Sequence, residues 1–202
     1  MPKELTSDCG NCFGLCCVAL PYAKSADFPL NKEAGEPCHH LCSDSRCSIH
    51  SELRGQGFRG CVSYECFGAG QHVSQVLYEG KDWRTDSNIA FEMFSVFPLV
   101  QQLHEMLAYL KQSMHVNEVK LLARELKKMY NETIALTELA PEDILKIDLI
   151  SHRAKINALL VETSKSYRHG YETKKNQKKQ IDYVGANLRG RDLKGKDFVV
   201  HY

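Results

Sequence analysis

The chain has 202 residues, of which 43% are hydrophobic and 25% charged, with a formal net charge of +1. This composition excludes a wholly disordered chain and allows a sizeable core in one or two domains. A net charge this close to zero identifies no partner, and no stretch is long and apolar enough to predict a span through a membrane.

Cysteine dominates the first of three predicted regions, residues 1–85. All nine cysteines fall within the first 66 residues, among prolines and glycines that predict loops and short turns. Thiolates are ligands that hold zinc or iron–sulfur clusters. We therefore expect a loop-rich, metal-stapled region in which metal binding contributes to the folding free energy.

The cellular compartment indicates whether the cysteines are metal ligands or form disulfides. Residues 1–8 lack the apolar segment of a secretory signal, so we expect a cytoplasmic protein. In a reducing cytoplasm, clustered cysteines are more often metal ligands or redox thiols than disulfides, and an odd number fits a disulfide framework poorly. Disulfides and unligated thiols remain the alternatives to a metal site.

The spacing of the first cysteines makes two geometric predictions. Cys9, Cys12 and Cys16 would share one face if their segment were helical. The neighbours Cys16 and Cys17 are expected to point apart, and therefore to serve two metal ions, or one metal ion with the other thiol packed. Three nearby histidines are alternative ligands, although each is favoured as a surface or supporting residue: His39, His40 and His50.

Residues 9–66 resemble the CxxCxxxCC family, which is described as zinc- or iron-chelating domains. The matching motif is Cys9-x-x-Cys12-x-x-x-Cys16-Cys17, followed by further cysteine blocks. The family motif has no cysteine at the position of Cys42, so the resemblance implies eight metal ligands: Cys9, Cys12, Cys16, Cys17, Cys38, Cys47, Cys61 and Cys66. Eight thiols suit two closed four-thiolate sites.

Helical periodicity characterises the second region, residues 86–170, where we predict an antiparallel helical bundle. The first helix follows a capping cluster at 85–88, and Pro98 should kink it or divide it near Val96. Its apolar stripe is Met93, Phe97, Val100, Leu103, Leu107 and Leu110.

Two further helices are predicted in this region. One begins near Asn117, and the other begins at Pro141 and ends at Gly170. Asp148 and His152 share a helix face, which favours a hydrogen-bonded surface pair over a catalytic dyad. Trp83 should pack where the cysteine-rich region meets the helices.

The third region, residues 171–202, is predicted to be a basic linker and a short repeat stub. Its basic residues, which include Lys174, Lys175, Lys178 and Lys179, favour a solvated linker over a nucleic-acid site because few aromatic residues accompany them. Leu188, Leu193 and Phe198 recur every five residues, each after Asn or Asp, and this pattern resembles the pentapeptide-repeat family. The resemblance implies a β-helix-like stub that docks on the helices, pairs with another chain or starts an array.

Taken together, the chain resembles bacterial pentapeptide-repeat-containing proteins with a cysteine-rich N-terminal region. We expect a zinc-binding structural or interaction module, with a protein partner, possible self-association through the stub and no membrane contact. The alternatives are an iron–sulfur redox protein or enzyme and, less favoured, a nucleic-acid-binding protein. No catalytic motif is apparent, and a closed four-thiolate zinc site has no open coordination position for chemistry.

Overall fold

The computed structural model describes residues 5–116, 121–169, 187–193 and 195. These residues are mainly helical, which confirms the predicted class. Strand pairing within them is limited to two isolated antiparallel bridges, Tyr22 with Lys32 and Leu41 with Cys47. None of the helices in the described ranges is long and apolar enough to cross a membrane.

The cysteine-rich region is built from loops and short helices. Helix α1 spans Leu15–Val18, α2 spans Arg59–Ser63, and α3 spans Ala69–Gln71 and widens into a π-helical segment at His72–Leu77. Short 3-10 turns occupy Cys9–Asn11 and Trp83–Thr85. The glycines and prolines between these elements keep each helix short.

A long helix, α4, spans Ser87–Ser113 and is capped by Asp86, whose side chain accepts from the Asn88 amide at 2.8 Å. It runs through Pro98 as one element, so the expected division near Val96 is wrong. Proline removes only one backbone donor. The burial of Phe97 and Val100 on either side of it holds both halves of α4 in place.

The next helices are α5 at Ala123–Thr137, α6 at Pro141–Ile144 and α7 at Leu149–His169. The single helix expected from Pro141 is therefore wrong. Asp148 begins a new helix by accepting from the Ser151 amide at 3.0 Å and from the Ser151 hydroxyl at 2.6 Å. The predicted boundaries at Asn117 and Gly170 lie outside the described residues.

His152 is buried instead of forming a surface pair with Asp148. Its Nε2 lies 2.9 Å from the Thr133 hydroxyl, which donates to the Met129 carbonyl at 2.7 Å. The Thr133 oxygen must then accept from His152, which places the imidazole proton on Nε2. The pair has a packing role between α5 and α7, and the surface-pair interpretation is wrong.

Two hydrophobic clusters share α4, and its predicted stripe is fully buried, as expected. The first cluster joins the N-terminal half of α4 to the cysteine-rich region: Leu15, Val18, Ala19, Ala69, Val73, Tyr78, Met93, Val96, Phe97, Val100 and Ile144. The second joins its C-terminal half to α5 and α7: Leu103, Met106, Leu107, Leu110, Leu126, Met129, Tyr130 and Ile156. One helix thus supports both parts of the molecule.

Only part of the predicted repeat stub is described. In it, the Arg191 amide donates to the Leu188 carbonyl at 3.3 Å and closes a turn. The remaining stub residues, including Phe198, and the lysines of 171–180 lie outside the described residues. The β-helix-like stub therefore stays a prediction.

Candidate metal centre

The segment from Cys9 to Cys17 is not one helix, so the condition under which Cys9, Cys12 and Cys16 would share a face is not met. Gly14 separates the first turn from α1 with a φ of +69°. A Cβ at this position would lie 2.6 Å from the Leu41 Cδ1 and 3.1 Å from the Ser45 carbonyl oxygen. The turn therefore requires glycine in both conformation and space.

Cys16 and Cys17 lie side by side in α1, with their sulfurs 3.9 Å apart. The expectation that they point apart is wrong. The Cys16 thiol can donate a hydrogen bond to the Cys17 thiolate. This contact raises the pKa of Cys16, to which burial adds, and it lowers the pKa of Cys17. Lys32 also favours the Cys17 thiolate and so acts in the same direction on its pKa.

Cys12 and Cys66 meet beside Gly70 in α3. A Cβ on Gly70 would lie 2.7 Å from the Cys12 sulfur and 3.8 Å from the Cys66 sulfur. The Ser7 hydroxyl lies 2.9 Å from the Cys66 sulfur. The absence of a side chain at residue 70 thus leaves room for both sulfurs.

Gln71 holds the chain near Cys9 against α3. Its side chain accepts from the Asp8 amide at 3.1 Å and donates to the Thr6 carbonyl at 2.7 Å. Burial raises the pKa of Cys9, and Cys66 is the neighbouring group that contributes most to this rise. Cys9 therefore lies within electrostatic reach of Cys66.

Tyr64 places a buried polar atom among the same thiols. Its hydroxyl oxygen is buried with no hydrogen-bond partner among the described residues. Burial raises the pKa of Tyr64, and Cys16, Cys66 and Cys12 raise it further. A phenol hydroxyl in this position can donate to a thiolate that is held nearby.

A second group of thiols gathers around Cys38. The Cys38 amide donates to the Cys17 carbonyl at 2.9 Å, and the Tyr22 hydroxyl donates to the Cys38 sulfur at 3.4 Å. Burial raises the pKa of Cys61 to about 11, and Cys17, Cys38 and Cys47 add to the rise. Cys47 is similarly affected, because burial, followed by Cys17 and Cys38, raises its pKa.

Lys32 is a buried cation beside this second group, with only 6% of its surface exposed. Its ammonium donates to the carbonyls of Val18, Leu20 and Glu33 at 3.0, 2.8 and 2.8 Å. Burial lowers the pKa of Lys32, while the nearby thiols of Cys38 and Cys17 act to raise it. A buried cation is costly unless anions compensate it, which thiolates can do here.

The thiols approach one another without closing around a common centre. Across residues 5–116, 121–169, 187–193 and 195, no three cysteine, histidine or acidic side chains form a group that could hold a metal ion as placed. All nine cysteines are free thiols. The donor chemistry of the thiols and the unpartnered Tyr64 hydroxyl fit a thiolate-bound metal, which would draw the cysteine side chains toward it.

The histidines and the ninth cysteine lie at the edge of this arrangement. The rings of His39 and His40 contact each other at a tilt of 50° with centroids 3.8 Å apart, and the His40 ring meets the Phe58 ring edge to face at 5.2 Å. Cys42 and His50 are both exposed. The Cys42 amide donates to the Arg46 carbonyl at 2.8 Å in a tight turn. These contacts account for the histidine pair by packing.

Sequence reasoning missed Lys32 and Tyr64. Lys32 stands in a loop sequence that carries no motif, while the position of Tyr64 between Cys61 and Cys66 offered a weak signal. The prediction for Trp83 is confirmed: its indole donates to the Phe13 carbonyl at 2.9 Å, and its ring meets Phe94 at 5.4 Å. Trp83 thereby ties the first cysteine segment to α4.

Comparison with known proteins identifies a relative in Bacillus subtilis (strain 168), "Uncharacterized protein YybG". It is 49% identical over 190 residues, which cover 92% of this chain and 68% of the relative. No family model matches the chain. No solved structure matches it either.

Proposed function

This chain belongs to the same family as YybG of Bacillus subtilis, and we propose that its N-terminal region binds zinc through cysteine thiolates. The candidate ligands are Cys9, Cys12, Cys16, Cys17, Cys38, Cys47, Cys61 and Cys66. The observation that carries the proposal is that free thiols lie next to two unusual buried groups. Cys12, Cys16 and Cys66 neighbour the unpartnered Tyr64 hydroxyl, and Cys17 and Cys38 neighbour the buried Lys32. Zinc would supply a tetrahedral cross-link between loops that bury little apolar surface of their own.

We assign this zinc a structural role in a cytoplasmic protein that acts as an interaction module. A site closed by four thiolates leaves no coordination position for a substrate. Large exposed apolar side chains support a protein partner: Phe91 in α4 is 78% exposed, Leu121 before α5 is 96% exposed and Ile150 in α7 is 86% exposed. An antiparallel arrangement of the helices and a repeat stub that offers an edge to a partner or to a second copy belong to the same proposal.

Metal analysis of the full chain tests the proposal. The protein is purified without added metal, under anaerobic and reducing conditions, and its zinc, iron and acid-labile sulfide are measured. We expect colourless protein with bound zinc that a strong chelator removes. Brown protein with iron and sulfide would replace zinc with an iron–sulfur cluster, and protein that takes up neither metal would overturn metal binding.

Binding to nucleic acid is tested on the same preparation. A site formed by the basic linker would retain DNA or RNA at low salt and lose it steeply as salt rises. Under the structural proposal, we expect no such retention, whether the zinc is present or removed. Salt-sensitive binding, with or without the zinc, would contradict a purely protein-binding module.

A further inference from the structure

Building on the proposed zinc binding, we infer that the eight thiols form two separate four-thiolate sites with defined membership. The Cys66 set comprises Cys9, Cys12, Cys16 and Cys66, and the Cys38 set comprises Cys17, Cys38, Cys47 and Cys61. The two sets touch at Cys16 and Cys17, whose sulfurs are 3.9 Å apart. Each set takes one Zn²⁺ and releases the protons of its thiols to solvent.

The first hydrophobic cluster contacts only one of the two sets in the described parts of the chain. Cys12, Cys16 and Cys66 pack against it, together with Tyr64. Among the described residues, Cys9 and the four members of the Cys38 set do not pack against this cluster. The Cys66 set therefore faces α3 and α4.

Backbone contacts bring the Cys66 set together from distant parts of the chain. Gln71 holds residues 6–8 next to α3, and the space beside Gly70 admits the sulfurs of Cys12 and Cys66. The Tyr64 hydroxyl is buried without a hydrogen-bond partner in the described residues, and Cys16, Cys66 and Cys12 are the neighbouring thiols that act on it. It can therefore donate to a thiolate of this set.

A different group of contacts assembles the Cys38 set. The Cys38 backbone is hydrogen-bonded to the Cys17 backbone. The Leu41 amide donates to the Cys38 carbonyl at 2.8 Å, and Leu41 also forms an antiparallel bridge with Cys47. These contacts place Cys17, Cys38 and Cys47 on adjoining backbone segments.

Aromatic packing brings Cys61 to the same place. The ring of Phe28 stacks on Tyr22 with centroids 4.4 Å apart and fills the space where Gly60 lacks a side chain. Tyr22 in turn donates to the Cys38 sulfur. Cys61, which follows Gly60 in α2, is thereby held near Cys38.

The charges around the two sets differ. A zinc ion with four thiolates carries a net charge of −2, so a nearby cation stabilises it. Lys32 lies nearest to Cys38 and Cys17 of the Cys38 set and reaches only Cys16 of the Cys66 set. After the thiols Cys66 and Cys17, the side chains that act on Cys9 are the acidic Asp8 and Glu65. We expect the Cys66 set to hold its zinc less tightly.

Zinc stoichiometry in matched serine variants tests this division. In a chelator buffer that strips three-thiolate sites, we expect two zinc ions per chain for the wild type and for Cys42→Ser, the control. Cys66→Ser and Cys61→Ser should each retain one ion, and the double variant none. Two ions in either single variant, or loss of both from a single variant with unchanged helical circular dichroism, would overturn the division.

Alkylation of the wild-type chain provides a test that does not depend on how the variants fold. The chain is loaded with one equivalent of zinc and treated with N-ethylmaleimide, and protected cysteines are mapped in singly loaded molecules. Protection should occur in all four members of one set together. Protection that mixes Cys9 with Cys61 would refute the division while leaving zinc binding intact, whereas a wild type that takes up no zinc refutes the proposed function itself.

Discussion

The two halves of α4 support parts of the molecule that are stabilised in different ways. Beyond Leu103, α4 packs against α5 and α7 through long apolar side chains. Before Leu103, it packs against short helices and loops, with polar ties such as Trp83 to Phe13 and the Tyr78 hydroxyl to Glu92 at 2.9 Å. The comparison teaches that apolar burial accounts for the helical part, while the cysteine-rich part combines its apolar cluster with polar ties, to which the proposed zinc would add cross-links.

Removal of zinc should have the largest effect on stability, and this effect should be confined to the cysteine-rich part. We expect amides such as Cys38, bonded to Cys17, to lose hydrogen-exchange protection almost completely, because zinc binding to such regions contributes about 10 kcal/mol or more. Amides around Leu107 should remain protected. Hydrogen exchange read by mass spectrometry measures both, and equal loss in the two parts would contradict the distinction.

Leu107→Ala should weaken the helical part. The side chain is fully buried in the second cluster, so its loss should lower the free energy of unfolding by about 2–5 kcal/mol. Denaturant unfolding measures this change, and zinc content should not alter. Leu121→Ala is the matched control, since Leu121 is 96% exposed and its truncation should change stability by less than about 0.5 kcal/mol.

Gly70→Ala should produce a smaller loss on the cysteine-rich side. The added Cβ would lie 2.7 Å from the Cys12 sulfur, and such overpacking costs about 1–3 kcal/mol. The better helix propensity of alanine offsets about 1 kcal/mol of this loss in stability. We expect a net loss of about 1 kcal/mol in thermal or denaturant unfolding, together with weaker zinc binding in a chelator competition.

Gly55→Ala is the control for that variant. A Cβ at Gly55 would make an ordinary 3.5 Å contact with the Glu52 carbonyl oxygen, so we expect unchanged zinc affinity. If both alanine variants bind zinc as tightly as the wild type, the space beside Gly70 has no role in holding the thiols.

Protonation of His152 in the helical part should have the smallest effect, and it is measured on the zinc-free chain because acid also releases zinc from thiolates. Burial lowers the pKa of His152 below its ordinary value of 6.5, with Glu132 and Lys155 as the nearby charges. The unfolded chain therefore binds a proton more readily than the folded chain, so this residue makes stability fall as the pH drops below 6.5. Unfolding at pH 7 and pH 5 measures the fall.

His152→Gln is the variant that isolates this contribution, since glutamine can donate to Thr133 without titrating. We expect the pH dependence of unfolding to be shallower in the variant than in the wild type. An identical slope in both proteins would remove His152 as its source.

The helical part shows how far a sequence pattern can be interpreted. The stripe from Met93 to Leu110 predicted a buried helix face, and every one of its six residues is fully buried. The division that Pro98 could have caused does not occur, since burial on both sides outweighs the loss of one backbone donor. The same reasoning failed near Leu145, which is 43% exposed, because Asp148 caps a new helix.

By itself, the sequence determined the mainly helical class, the core face of α4 and the concentration of thiols in the first 66 residues. Tertiary structure decided which thiols are neighbours, and it placed Lys32 and Tyr64 among them. The physical reason is that helix periodicity is local, since residues three and four apart share a face. The surroundings of a loop cysteine depend on distant segments that only the folded chain brings together.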